Sequence, residues 1–262
     1  MNKFLIALSC LFIFLGGSVA ASEPLKVTYG LYTGGFNVVD IEGVYNIDAG
    51  QYDLKMDLKT TGLLGKLAPW SGVIKSRGHQ RDGSVVPLEH SFASTWRDDT
   101  EKTTFIFDDE GTLKSLTRID EDGKEIRDMP VAEVYEGNPV DMLSALFQVM
   151  NQDTCANEVM GFDKKRRFNM VFVSQDRVKM EKSKYSKFSG NAEIYTVEIV
   201  PVAGKWRDKP RGWMSIQEQA KDNGQLPRLW FGKVHDEMPK IPVRFQIKTN
   251  YGTMIMHLKD VH

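Results

Sequence analysis

Apolar and polar residues alternate along most of this chain. Tyr52-Asp53-Leu54-Lys55-Met56-Asp57-Leu58-Lys59 does so without a fault. Successive side chains of a strand point to opposite faces, so this spacing predicts a strand with one buried side. Leu25, Val27, Tyr29 and Leu31 repeat the pattern, as do Val243, Phe245 and Ile247, and then Met254, Met256 and Leu258. Val178-Lys179-Met180-Glu181 and the set Tyr195, Val197 and Ile199 read the same way. Turn-forming residues separate the runs: Ala49-Gly50, Asp82-Gly83, Asp108 to Gly111, Asp122-Gly123 and Asn250 to Gly252. Many strands joined by short turns predict a mainly β fold: a curved antiparallel sheet, or a half-open barrel.

One segment departs from period two. Asn138-Pro139-Val140-Asp141 offers a capping residue, a proline at the first helical position and an acid in the first turn. Leu143, Leu146, Phe147 and Met150 follow at helical spacing. A helix over about 139–151, packed on the sheet by one apolar stripe, is predicted. A shorter helical turn is expected from Ser215, with Glu218 completing a capping box and Gly224 ending it.

The start of the chain changes the picture of where the protein works. Lys3 precedes an apolar run from Phe4 to Leu15; Gly16-Gly17 breaks it, and Ser18-Val19-Ala20 supplies small residues. This is the layout of a secretory signal peptide over residues 1–20, with cleavage after Ala20 or, nearly as well placed, after Ala21. The run is shorter than the ~20 residues of a membrane-spanning helix, and no second long apolar stretch follows, so a single exported domain over 21–262 without a transmembrane segment is expected. Ala7 stands where a lipid-modified Cys10 would need a leucine, which argues against a lipid anchor.

Of two cysteines, Cys10 leaves with the signal, so Cys155 has no partner for an internal disulfide and reads as a small buried apolar residue. The whole chain carries a formal net charge of −1. A balance this close to neutral argues against nucleic acid as a partner and against coating a membrane by bulk charge.

Three segments together resemble a known family. Asn138 to Leu146 resembles its "D-x-L-S-A-L" helix, Pro201-Val202-Ala203-Gly204 the turn after its long strand, and Leu229-Trp230-Phe231 with Met238 to Arg244 its closing hairpin. The family is the domain-of-unknown-function family 3108, exported and mostly proteobacterial. The resemblance implies a periplasmic, β-rich half-open barrel and offers no catalytic residues. Phe162 to Phe168 is also similar to a basic turn of one alphaproteobacterial branch. That branch pairs a cysteine like Cys155 with one near position 195, where this chain has Tyr195.

Candidate chemistry is sparse. His235-Asp236-Glu237 reads as a polar turn ahead of Met238-Pro239 rather than a metal site, and His79, His90, His257 and His262 fall into no zinc or triad spacing. Ser84, Ser91 and Ser94 lack a nucleophile elbow. Gly34-Gly35 and Gly62-Leu63-Leu64-Gly65 are turns, since no phosphate-binding helix follows, so no cofactor is expected. Two basic stretches could meet an anionic lipid or glycan: Lys164, Lys165, Arg166 and Arg167, and the loop carrying Trp206, Arg207, Arg211 and Trp213. The apolar loop with Leu63, Leu64, Leu67 and Trp70 is placed at a barrel mouth, with Leu143, Phe147 and Trp230 lining a cavity for an acyl chain. The expectation is a non-enzymatic protein binding a hydrophobic or amphiphilic envelope component. A scaffold for envelope proteins is the alternative, and a hydrolase acting on envelope polymers comes third.

Overall fold

The computed structural model describes residues 23–128, 131–151, 158–206, 213–222, 225–236, 238–249 and 252–262. The signal segment, Cys155, Arg207, Arg211 and Gly224 lie outside these residues. The first half of the chain forms β1 (Leu25–Thr33), β2 (Phe36–Asp48), β3 (Gln51–Thr60), helix α1 (Gly62–Leu67), β4 (Trp70–Arg81), β5 (Ser84–Trp96), β6 (Asp99–Phe107), β7 (Leu113–Ile119) and β8 (Glu125–Asp128). Helices α2 (Ala132–Tyr135) and α3 (Met142–Met150) lead to β9 (Glu158–Asp163), β10 (Arg166–Met180) and β11 (Gly190–Gly204). Helix α4 (Trp213–Asp222), β12 (Arg228–Gly232), β13 (Ile241–Thr249) and β14 (Gly252–Val261) complete it.

The strands make one antiparallel sheet, in the order β8 to β1 and then β14 back to β9. Period-two patterning sets its faces: Tyr52 and Leu54 are buried while Gln51 and Asp53 are exposed. The turns are equally local in origin. Ala49-Gly50 and Asp82-Gly83 both adopt positive φ, at 45° and 79° and at 51° and 80°, as two-residue hairpins with the twist of the flanking strands require.

β8 and β9 are not paired, so the sheet is curved but not closed into a barrel by hydrogen bonds. Side chains fill the seam instead. Phe105 and Phe107 of β6, Leu116 of β7, Val134 of α2 and Phe162 of β9 form a separate small core, with the Phe105 and Phe162 rings 5.2 Å apart. Lys164 reaches across to Asp128 at 2.8 Å.

α3 packs on β4, β5 and β9, starting later than the spacing predicts. Its cap is Asp141, which accepts from Leu143 N and Ser144 N. Asn138 sits at φ 53°, and Val140 makes a parallel bridge to Gly161, which keeps the Asn138-Pro139-Val140 segment out of the helix. More than one stripe is buried, because Ala145 and Val149 join Leu143, Phe147 and Met150 in the interior. α4 likewise begins before Ser215, which falls inside its first turn rather than at its cap. Gln217 explains its position. β11 outruns β12, and the Gln217 amide takes up the backbone N–H and C=O of Ile199 beyond that pairing, at 2.7 and 2.8 Å.

On the opposite face, the segment between β10 and β11 straps across the sheet, its Lys187 N donating to the Leu258 carbonyl. Beneath it His257 stacks on Tyr185 at 5.7 Å, and burial, then the Arg244 charge, pull its pKa down to about 4. A histidine held neutral when folded binds fewer protons than the unfolded chain, so its stabilisation is complete above pH ~6.5 and is lost as pH falls toward 4. Chemical denaturation should show stability declining over that interval, and His257→Phe should flatten it; an unchanged slope in the variant would refute the assignment.

Candidate functional site

Between α3, α4 and the inner face of the sheet lie two lobes of one cavity. The outer lobe, about 880 Å³, is lined by His90, Phe92, Thr103, Phe105 and Phe162 and by the basic turn between β9 and β10. The inner lobe, about 470 Å³, is lined by Leu143 and Leu146 of α3 and by Phe168, Met170, Phe172, Val197, Ile199, Leu229 and Phe245 of the sheet. Ile74, Met142, Asp163, Arg166, Trp206 and Met214 belong to both, so the lobes are continuous. Ligand cavities in proteins span roughly 300–1,000 Å³, so either lobe could hold a small molecule.

The wall changes character along its length. The inner lobe presents almost only aliphatic, thioether and aromatic side chains. The rim carries Lys164, Lys165, Arg166 and Lys205, with Asp163 and Glu218 as its acids. Two of the cations are committed: Lys164 to Asp128, and Arg166 to Asp163 through a fork of its Nε, at 2.7 Å, and its Nη2. The Arg166 guanidinium also lies over the Trp206 ring at 4.9 Å, while the Trp206 indole donates to the Ala203 carbonyl at 2.8 Å. Lys165 and Lys205 are exposed and join each other only through backbone, Lys205 N donating to the Lys165 carbonyl. Neither ammonium makes an ion pair among the described residues.

Under the outer lobe is a buried polar network that fixes α3 to the sheet. Asp141, 1% exposed, accepts from the Ser76 hydroxyl at 2.5 Å and the Ser144 hydroxyl at 2.6 Å. Each serine has one proton and has given it to the carboxylate. Tyr52 must therefore donate to Ser144 Oγ at 2.7 Å, and His90 Nδ1–H must point at Ser76 Oγ, at 2.8 Å, and at Asp141 Oδ1, at 3.1 Å. Burial alone would raise the Asp141 pKa; the adjacent His90 and the two hydroxyls outweigh it and hold the group at about 2. Proton placement thus fixes the His90 tautomer and leaves Nε2 without a described hydrogen bond on a ring that lines the cavity.

This geometry is not that of a hydrolase triad. Serine and carboxylate both meet Nδ1 of His90, whereas a nucleophile would need the opposite nitrogen, and Ser76 is itself buried. Among the described residues no group of three or more acidic, histidine or cysteine side chains could hold a metal.

The expected site residues divide. Lys164, Lys165, Arg166, Trp206 and Leu143 line the cavity. Arg167 does not; strand alternation turns it away, toward the Glu136 carbonyl of the α2 end. Phe147 is buried in the core 4.7 Å from the Tyr52 ring, and Trp230 is buried beneath Arg244 on the other side of the sheet. Leu63, Leu64 and Leu67 form helix α1 rather than an apolar loop, and they line neither lobe. Trp70 borders a separate shallow pocket and donates its indole N–H to Ser94 at 2.9 Å. The backbone of Trp213 opens α4. Sequence reasoning missed Ile74, His90, Met142 and Met214, whose meeting depends on long-range packing; the only local signal was the acid Asp141 ahead of the apolar helix.

Fold and cavity define a mainly β protein with a curved, half-open antiparallel sheet around an amphipathic pocket. A family model described as protein of unknown function (DUF3108) matches residues 26–259, and the chain belongs to that family. Its structure is similar to the crystal structure of a beta-barrel-like protein of the domain of unknown function DUF1849 from Brucella abortus, at TM-score 0.50 and 11% identity, covering 91% of this chain and 97% of that one. No curated protein matches it. No catalytic family is indicated, and among the described residues no helix is long and apolar enough to cross a membrane.

Proposed function

We propose that this protein is exported to the periplasm and, without catalysing a reaction, binds an anionic amphiphile of the cell envelope. The acyl portion occupies the inner lobe and the acidic head lies at the basic rim. The observation that carries this reading is the continuity of a nearly all-apolar lobe with a rim holding two lysines that no carboxylate of the described residues neutralises. Apolar burial supplies affinity, and the charged end sets orientation. The signal-like leader supports the compartment. The scaffold alternative draws less support: β8 is only four residues long, and β9 is already met by Val140, so the open sheet edges offer little to an added strand.

Leu146 lines the inner lobe from α3, so Leu146→Trp should fill it. Titration with a fluorescent long-chain fatty acid should give saturable binding to the parent protein and roughly tenfold weaker binding to the variant, a loss of ~1.4 kcal/mol. Equal binding by both proteins, or none by either, would reject the reading.

A further inference from the structure

In an antiparallel meander alternate hairpins emerge at the same end. The turns β1–β2, β3–β4 and β9–β10, and the connection leaving β11, therefore share one end of this sheet. That end carries the cavity's Lys165 and Lys205, and it also carries the most exposed apolar side chains of the described residues. Phe36, which opens β2 at the β1–β2 turn, is 77% exposed, and Leu63 and Leu67 of α1 are 74% and 71% exposed. Leu64 is exposed as well, and α1 buries no side chain at all.

Backbone contacts hold α1 in place. A Cβ on Gly65 would come within 2.7 Å of the Thr60 carbonyl, so glycine lets the helix lie against the end of β3. Gly65 N donates to the Thr61 carbonyl at 3.0 Å, and Trp70 N donates to Thr60 Oγ1 at 2.9 Å. Thr61 N donates to the Val38 carbonyl at 3.0 Å, which sets the helix beside the Phe36 turn. The leucines thus face outward from an anchored tip and contribute nothing to the core.

Charge selects the occupant. Residues 33–37 and 59–70 contain no acid, and exposed Lys59 and Lys66 flank the leucines without an ion pair among the described residues. Trp96, at a neighbouring turn, is followed by Asp98 and Asp99, whose charges an anionic surface repels. Protein interfaces are depleted in lysine at their centres, whereas lysine beside bulky apolar side chains suits the boundary of an anionic bilayer. We infer that α1 and the Phe36 turn form a membrane-docking tip, which inserts Phe36, Leu63, Leu64 and Leu67 into an anionic phospholipid surface with Lys59 and Lys66 among the headgroups. The inference goes beyond the cavity reading and rests on separate residues; it would turn the cavity's basic rim toward the bilayer.

The test is sedimentation of the detergent-free protein with vesicles. It should pellet with phosphatidylglycerol–phosphatidylethanolamine vesicles, pellet about tenfold less with phosphatidylcholine, and be released by about 0.5 M salt. The triple variant Phe36→Ser/Leu63→Ser/Leu67→Ser should lose partitioning by tenfold or more, in the order-of-magnitude sense expected for three exposed apolar groups. It should keep its melting temperature and its fatty-acid affinity in solution, because the replaced side chains lie outside both core and cavity. Failure of the parent protein to pellet with the anionic vesicles overturns the inference, as does a triple variant that pellets like the parent. A triple variant that instead changes from dimer to monomer with vesicle binding intact would identify a self-association face and overturn it too. None of these outcomes touches the cavity reading, which is decided by fatty-acid titration in solution of the parent protein and Leu146→Trp.

Discussion

Replacing Asp141 with alanine is expected to lower the melting temperature by roughly 10 °C. The carboxylate is almost wholly buried, caps α3 through Leu143 N and Ser144 N, and takes the protons of Ser76 and Ser144. Alanine would leave those hydroxyls without their acceptor at once and would remove one of the two acceptors of the His90 Nδ1–H. Removing one member of a buried ionic network typically costs about 3–5 kcal/mol, and a domain of this size shifts by about 2–4 °C per kcal/mol. Asp141→Asn keeps a capping oxygen and should cost less, since asparagine is also a good cap. Acid should mimic the loss. With a folded pKa near 2 against an ordinary 3.8, the Asp141 contribution is complete above about pH 4 and disappears as pH falls through 2, below the window assigned to His257. Thermal denaturation of the three proteins across pH checks both statements, and an Asp141→Ala protein as stable as the parent would contradict them.

The second large effect concerns recognition. The double variant Lys165→Glu/Lys205→Glu should weaken binding of a long-chain fatty acid by roughly tenfold or more, because it replaces the two uncommitted cations of the rim with charges of the ligand's own sign. Binding of the fatty alcohol of equal length should change little, since its chain meets only the untouched inner lobe. Calorimetric titration of both ligands separates the outcomes: a parallel loss for acid and alcohol would mean that the rim supports the cavity's shape rather than reading charge. Lys164→Glu is a poor probe by comparison, since Lys164 already pairs with Asp128 across the β8–β9 seam and its change would disturb that join.

Which parts of this were legible beforehand follows from the range of the forces involved. Period-two alternation is local, so the strand at Tyr52–Lys59 and the glycine turns at Gly50 and Gly83 could be read directly. The start of α3 could not. Asn138 and Asp141 are equally good caps by residue type, and the choice between them is made by Ser76 and His90, 65 and 51 residues away, and by the Val140–Gly161 bridge. The basic run 164–167 was visible, but only the phase of the alternation along β10 decides that Arg166 faces the cavity while Arg167 turns to Glu136. The apolar run at 63–67 suggested a mouth lining. Gly65 allows instead a helical turn close against Thr60, and that turn points the leucines outward. The cavity itself has no signature of its own, because Ile74, Met142, Trp206 and Met214 are far apart in sequence and meet only when α3 and α4 close over the sheet.

The most direct measurement is native mass spectrometry of the protein purified, without detergent, from the envelope of cells that export it. The amphipathic cavity predicts an added mass that fragments to an acyl chain with an acidic headgroup, and that is reduced in Leu146→Trp and in Lys165→Glu/Lys205→Glu. A bare polypeptide mass, together with no saturable uptake of a fatty acid in solution, would contradict the account.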